Sequence, residues 1–251
     1  MQVTISVGGR FHAFYLAQQL LKRGYLKSLI TSYPKFEVTK YGIPKGKVSS
    51  VIMKELMDKI WYRIPAVIKY FCNPQYLIHE VFDTCASHFY TTSDICVAFS
   101  GFGLHTIKKA KETGAITMIE RGSAHMLWQA QILAEEHEKY GLKFQRASAK
   151  FIEKTLLEYE EADYISIPSL FAKRTFLERG IAEEKLIHVP YGVYLDEFKQ
   201  EPREDTTFRI VYAGGMTLRK GVHYLLKAFS ELNLPHSELL LVGGLSEEIK
   251  P

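Results

Sequence analysis

Short β-branched and aliphatic runs alternate with longer stretches of helical spacing along almost the whole chain, and this alternation excludes most folds. Val3 to Val7 is too short for a helix and stops at Gly8-Gly9. From His12 to Arg23, Phe14, Leu16, Ala17, Leu20 and Leu21 recur three or four residues apart, until Gly24 stops the helix; Leu26 to Thr31 is the next strand. Strands separated by a helix cannot form a tight hairpin, so the pattern predicts βαβ units and a parallel sheet. Further strands are expected at 94–99, 116–119, 164–167 and 185–189. The intervening helices are expected at 74–90, from Gly103 to Thr113, at 124–140 and 147–162, and from Pro168-Ser169 to Gly180. Tyr33 to Ser50 holds two prolines and two glycines and reads as a long loop; Val51 to Phe71 reads as helix, broken near Pro65.

Residues 196–207 are polar and charged and contain Pro202, which reads as a linker. A new βαβ follows: Phe208 to Ala213, Gly214-Gly215, a helix from about Lys220 to Leu232, and Ser237 to Val242. The expected class is α/β: a Rossmann-like parallel sheet flanked by helices in 1–195, then the first βαβ of a second Rossmann-like domain in 208–251. A piece of that size cannot bury a sufficient core alone. It is expected to pack on the first domain or to open a domain continuing beyond it.

Composition narrows the function classes. Lysine plus arginine number 32 against 28 acids, a net +4 that gives no reason to expect a nucleic-acid partner. The excess is local: residues 40–72 carry +5 and the rest of the chain −1. Three cysteines, Cys72, Cys85 and Cys96, form no Cys-x-x-Cys pair and fit a reducing compartment. The first residues lack a basic, signal-peptide-like start, and no stretch reaches the roughly 18 apolar residues of a membrane span. The expected location is cytoplasmic, with a peripheral position at the inner face of the plasma membrane left open.

Glycines follow three strands, at Gly8-Gly9, Gly101-Phe102-Gly103 and Gly214-Gly215. Each permits a tight turn or a close ligand approach at the carboxyl end of a sheet. No Gly-x-Gly-x-x-Gly or P-loop pattern is present, so dinucleotide and P-loop nucleotide chemistry find no fingerprint. The strongest local signal is Val211 to Gly221. Here a strand and a glycine turn deliver Arg219-Lys220 to the start of a helix, where cations are disfavoured unless an anion sits there. A diphosphate would satisfy both, Arg219 bidentately; a solvated surface pair is the other reading. Glu120-Arg121-Gly122-Ser123-Ala124-His125 follows another strand. His125 can serve a sugar or a proton there, or simply cap its helix; Arg121 can meet a phosphate or pair with Glu120.

Residues 211–229 resemble the start of the donor domain in glycosyltransferase family 4, enzymes of the GT-B fold. So do Leu239-Leu240-Leu241-Val242-Gly243-Gly244, the run Val189-Pro190-Tyr191-Gly192-Val193-Tyr194-Leu195-Asp196-Glu197-Phe198, and Tyr164 to Ser169. Gly8-Gly9 with His12, Leu16 and Ala17 is similar to the family's first loop and helix. The resemblance implies transfer of a sugar from a nucleotide diphosphate donor to a glycan or lipid-linked hydroxyl with retention of configuration, in cell-surface polysaccharide or glycolipid synthesis. It implies Arg219 and Lys220 on the donor diphosphate with Gly214, Gly215, Gly8 and Gly9 beside the donor, and His125 at the transferred sugar. His12, Arg121 and Ser123 fall on the acceptor side. It implies no cofactor and no metal; the six aspartates include no Asp-x-Asp pair. The family's later Glu, seven residues, Glu motif is missing, since the sequence ends 31 residues after Lys220. The expectation is therefore a chain truncated within its donor domain.

In residues 40–72, seven cations interleave with Met53, Leu56, Ile60, Trp61, Tyr62 and other apolar residues. This composition suits either an anionic membrane surface or a helix covering the first domain. The alternative to an enzyme is a non-catalytic Rossmann-like binding protein, or an enzyme remnant lacking half of the donor site.

Overall fold

The computed structural model describes residues 1–65, 74–193, 195, 198–200, 202 and 205–249. The chain divides into two compact units, residues 1–129 with 147–191 and residues 130–146 with 192–251.

The first unit is built on a seven-stranded sheet. Its strands are β1 (Val3–Val7), β2 (Leu26–Thr31), β3 (Val48–Ser50), β4 (Ile95–Phe99), β5 (Ile116–Glu120), β6 (Tyr164–Ile167) and β7 (Leu186–His188). All neighbours are parallel, in the order β3-β2-β1-β4-β5-β6-β7. The winding reverses between β1 and β4, the position where α/β sheets open a crevice for ligands. The helices are α1 (Ala13–Lys22), α2 (Lys35–Thr39), α3 (Met53–Arg63), α4 (Gln75–Phe89), α5 (Leu104–Glu112), α7 (Ala149–Glu161) and α8 (Leu170–Leu177); α6 (Met126–Lys139) begins in this unit, and from residue 130 on it belongs to the second.

Helices on both faces explain why the central strands read as continuous buried runs. Along β4, Val97 and Phe99 join Ile5, Val7 and Phe14 of α1 in one cluster. Cys96 turns to the opposite side with Phe82, Ala86 and Phe102. A third cluster gathers Ala98, Ile107, Ile119, Tyr159, Ile165 and Phe176. Phe14, Phe82, Tyr159 and Phe176 are among the largest fully buried side chains, each worth about 1.5–3 kcal/mol of transfer free energy.

The long loop expected over 33–50 needs correction. It contains α2, a turn of 3-10 helix at Lys45–Lys47 and the edge strand β3. β3 is three residues long and exists through its pairing with β2, Leu29 to Val48 and Thr31 to Ser50. The end of the helix expected to run to Phe71 falls on residues 66–73, outside the described residues.

In the second unit, β8 (Phe208–Ala213) and β9 (Ser237–Val242) pair in parallel, and α9 spans Val222–Leu232. Residues 130–146, read from sequence as part of the first domain, group here. The cause is a polar set: Glu136 accepts from the His223 ring at 2.9 Å, Lys139 donates to the Tyr224 hydroxyl at 2.6 Å, and His137 lies 3.3 Å from Glu248. The helix expected from Lys220 begins two residues later. Leu218–Lys220 is a 3-10 turn, and Gly221 at φ +68° bends the chain into α9.

Candidate active site

At the carboxyl end of the first sheet, Gly8-Gly9 leaves β1 beneath an aromatic cover. A side chain on Gly8 would fall inside the Phe102 ring. Thr31 at the end of β2 donates its hydroxyl to the Gly9 carbonyl at 2.8 Å and holds the loop. His12 then caps α1 by position, without a side-chain cap bond. Its ring lies between Phe99 and Tyr191, with centroids 5.0 and 4.9 Å away. Its Nε2 stands 3.3 Å from Oε1 of Glu120, the last residue of β5. Glu120 is 8% exposed, and the His12 side chain about a third. Burial first, then the Glu120 charge, pushes the Tyr191 phenol above its ordinary range. A Cβ on Gly122 would meet the Tyr191 hydroxyl, so a larger residue here would displace the Tyr191 ring tip.

Sequence position alone did not single out this His12–Glu120–Tyr191 group. Glu120 was read as a partner for Arg121; the structure gives it to His12. Three separate segments meet here because β1 and β5 end on the same side of the sheet. A histidine paired with a carboxylate can hold or accept a proton from a hydroxyl beside it.

Arg121 and Ser123 are brought together, but by an internal bond. The Arg121 guanidinium donates to the Ala124 carbonyl and to Gln129 Oε1, both at 3.1 Å, and Ser123 Oγ donates to the same Gln129 oxygen at 2.9 Å. Both side chains therefore fasten their loop to the first turns of α6.

The expected role of His125 at a transferred sugar meets a different placement. The ring is 2% exposed, packed between Tyr159 and Phe176 at 5.2 and 5.0 Å. Its Nδ1 accepts from the Leu127 backbone N–H at 3.3 Å. Burial, with Arg121 and Arg179 nearby, lowers its pKa to about 4, so the ring is neutral at pH 7. A buried neutral imidazole accepting at Nδ1 fits the helix-capping role that its position also allows.

The loop at Gly101–Gly103 is filled from within. The Gly101 and Gly103 N–H groups donate to Glu158 Oε2 and Oε1 at 2.6 and 2.8 Å. His79 contacts the Gly101 carbonyl at 3.1 Å and stacks on Phe102 with centroids 3.9 Å apart. Glu158 is fully buried, and that burial raises its pKa to about 7 against the two N–H donors. Beside it Lys154 bridges Glu80 and Asp83, each at 2.7 Å. Asp83 in turn accepts from the backbone of His105 and Thr106. The sequence signal for this network was Lys154 and Glu158 on the same side of a helix as Phe151, Thr155 and Tyr159.

In the second unit, the turn after β8 places Gly214 and Gly215 beside β9, with Gly214 N–H donating to the Val242 carbonyl at 2.8 Å. Thr217 caps the 3-10 turn, accepting from the Lys220 N–H at 3.2 Å. Glu248 accepts from the Leu218 N–H at 2.9 Å. Arg219 and Lys220 stay exposed, and neither has an ion-pair partner among the described residues. Among the described residues there is no group of three His, Cys, Asp or Glu suited to a metal ion, and no helix long and apolar enough to cross a membrane.

No family model and no curated protein matches this sequence. Solved structures do match its fold. The Anabaena protein Alr3699/HepE, in complex with UDP and glucose, is similar over 98% of this chain and 62% of its own, with a TM-score of 0.58 at 14% identity. The lipopolysaccharide outer core galactosyltransferase WaaB in its apo form is similar over 99% and 62%, with a TM-score of 0.55 at 13% identity. A putative UDP-N-acetylglucosamine 2-epimerase from Listeria monocytogenes is similar over 98% and 63%, at 0.52 and 10%. The chain thus has the Rossmann-like α/β fold of these GT-B proteins and spans somewhat over three fifths of their length.

Proposed function

We propose that this chain belongs to a glycosyltransferase that takes a sugar from a nucleotide diphosphate donor and passes it to a hydroxyl of a glycan or lipid-linked acceptor, with retention of configuration. The observation that carries this reading is the pair Arg219-Lys220. Two adjacent exposed cations without a described counter-charge follow a strand and a glycine turn. Charge left unpaired at such a turn suits a polyanion. A diphosphate would take both, Arg219 through a bidentate contact and Lys220 as a point charge. The same contacts strengthen as negative charge develops on the leaving diphosphate, which lowers the barrier without a metal. The fold neighbours seen with UDP support the choice of ligand.

In the first unit, His12 takes the proton-handling part that sequence reading gave to His125. His12 is reachable and held by Glu120, whereas His125 is sealed in the core. Membership of family 4 and a role in surface polysaccharide or glycolipid synthesis are part of the same proposal and rest on the sequence resemblance.

Calorimetric titration of the 251-residue chain with UDP tests the central claim. Charge-assisted contacts of this kind are worth about 1.5–3 kcal/mol, so Arg219→Ala or Lys220→Ala should weaken UDP binding roughly 10- to 100-fold with the fold intact. Equal affinity in wild type and both variants would remove the diphosphate assignment. The anomeric configuration of a transfer product, read by NMR, decides retention; an inverted product would overturn that part.

A further inference from the structure

The turn between β1 and α1 holds one residue in an unusual backbone state. Phe11 takes φ +40°, whereas Gly8 and Gly9 just before it stay outside the positive-φ region. Glycine or asparagine enters that region readily; a bulky ring does so under strain, and its surroundings must hold it there. Hiding the ring from water does not explain the strain, because Phe11 is 59% exposed. The conformation instead lays the ring on Phe99, the last residue of β4. The centroids are 5.9 Å apart and the planes 19° from parallel. Phe99 is 6% exposed and also carries the His12 ring, at 5.0 Å. One buried ring thus supports both, and Phe11 keeps its outer face toward water.

The same turn carries a cation. Arg10 is exposed and has no ion-pair partner among the described residues. Its Nη1 donates to the Tyr41 hydroxyl at 2.9 Å, and Tyr41 packs edge-on against Phe14 of α1 at 5.2 Å. The guanidinium is therefore held beside the turn. Glu120 does not compensate it, because that carboxylate is turned to His12 at 3.3 Å. Residues 10, 11 and 12 thus supply a cation, a flat apolar platform and a proton acceptor in succession.

We propose that Arg10 and Phe11 form an acceptor subsite for an anionic pyranose, a sugar ring that bears a carboxylate or a phosphate. This deepens the proposed transferase function and rests on it. The C–H groups of a pyranose face are weakly positive and pack on the negative face of an aromatic ring. A guanidinium pairs with either anion through two parallel hydrogen bonds. A sugar lying on Phe11 has its charged substituent at Arg10 and its receiving hydroxyl toward His12. A neutral sugar would use the platform and leave the cation idle.

The test is a binding titration followed by NMR, with no donor present. The probes are methyl β-glucuronide, glucose 6-phosphate and methyl β-glucoside. Wild type should prefer one of the anionic sugars to the glucoside about fivefold, as for an exposed ion pair; the tighter of the two names the anion. Arg10→Gln should bring that preference to unity and leave glucoside binding as in wild type. Phe11→Leu keeps apolar bulk but not the flat face, and should weaken all three sugars roughly 2- to 10-fold. Phe11→Tyr keeps the face and should bind as wild type does. No sugar binding, a preference that survives Arg10→Gln, or wild-type binding by Phe11→Leu would overturn the proposal. So would a concentration-dependent dimer lost in Phe11→Leu, which would give the ring to a second copy of the chain. UDP titration of the same samples keeps the two assignments apart. UDP binding without sugar binding refutes the subsite alone; sugar binding without UDP binding refutes the diphosphate assignment alone.

Discussion

The buried carboxyl of Glu158 offers the sharpest test of how the sheet's carboxyl-end loops are held. Opposing influences compete at this group. Burial and the Asp83 charge favour the protonated form, while the Gly101 and Gly103 N–H donors and Lys154 favour the carboxylate. Burial wins and places the folded-state pKa at about 7, against an ordinary value of 4.5. A carboxyl raised in this way is protonated more readily in the folded chain than in the unfolded one. Its contribution to stability is therefore complete below pH 4.5 and is lost as pH rises through about 7. At about 1.4 kcal/mol per pH unit, the loss amounts to about 3 kcal/mol over that window. Two histidines, one buried and one half-buried, act in the opposite direction. His79 and His125, both lowered to about 4, destabilise the fold as pH falls below 6.5. The measurement is therefore a difference. Urea unfolding of wild type and Glu158→Gln is compared at intervals from pH 5 to 8, and the histidine contributions cancel on subtraction. Wild type should lose about 2–3 kcal/mol relative to the variant between those limits. A difference that stays flat, or one that grows in favour of wild type as pH rises, would refute the reasoning. It would mean that the two glycine N–H groups and Lys154 outweigh desolvation and keep the carboxylate ionised throughout.

Two further changes probe the same region. Lys154→Met removes the only described cation between Glu80 and Asp83 and strands a fully buried carboxylate; a loss of about 3–5 kcal/mol at pH 7 is expected by urea titration. Gly8→Ala pushes a methyl group into the Phe102 ring and should cost about 1–3 kcal/mol. Adding Phe102→Leu should recover part of that cost, giving a favourable coupling in a double-mutant cycle.

The sequence made the parallel sheet legible because its signals were local. Val3 to Val7 before Gly8-Gly9, Ile95 to Phe99 before Gly101, and the spaced apolar residues of α1 each announce their element within a dozen positions. β3 was not legible. Its three residues follow a Pro-Lys-Gly-Lys stretch and are strand only because β2 supplies the hydrogen bonds. Similarly, 130–146 showed a helix but not its allegiance, which Tyr224, His223 and Glu248 decide from about a hundred residues away.

The candidate site divides along the same line. Arg219-Lys220 stands out in the sequence because the turn, the glycines and the cations are contiguous; the structure adds that both charges are exposed and without a described ion-pair partner. For the histidines, the sequence supplied only their position after a strand, which is the same for His12 and His125. Which one meets solvent depends on what packs above it. Tyr159 and Phe176, from two later helices, close over His125, while Glu120 and Tyr191 leave His12 a third exposed. The orientation of α3 belongs to the tertiary structure too. Its composition is that of an ordinary amphipathic helix, and the partners awaiting Lys54 and Glu55, the Phe102 ring and the Ser32 hydroxyl, hold those two charges against the sheet while Lys59 and Arg63 stay exposed. Chain-local chemistry thus determined the elements and the cationic turn. Burial, which sums over residues distant in sequence, decided which side chains remain able to meet a ligand.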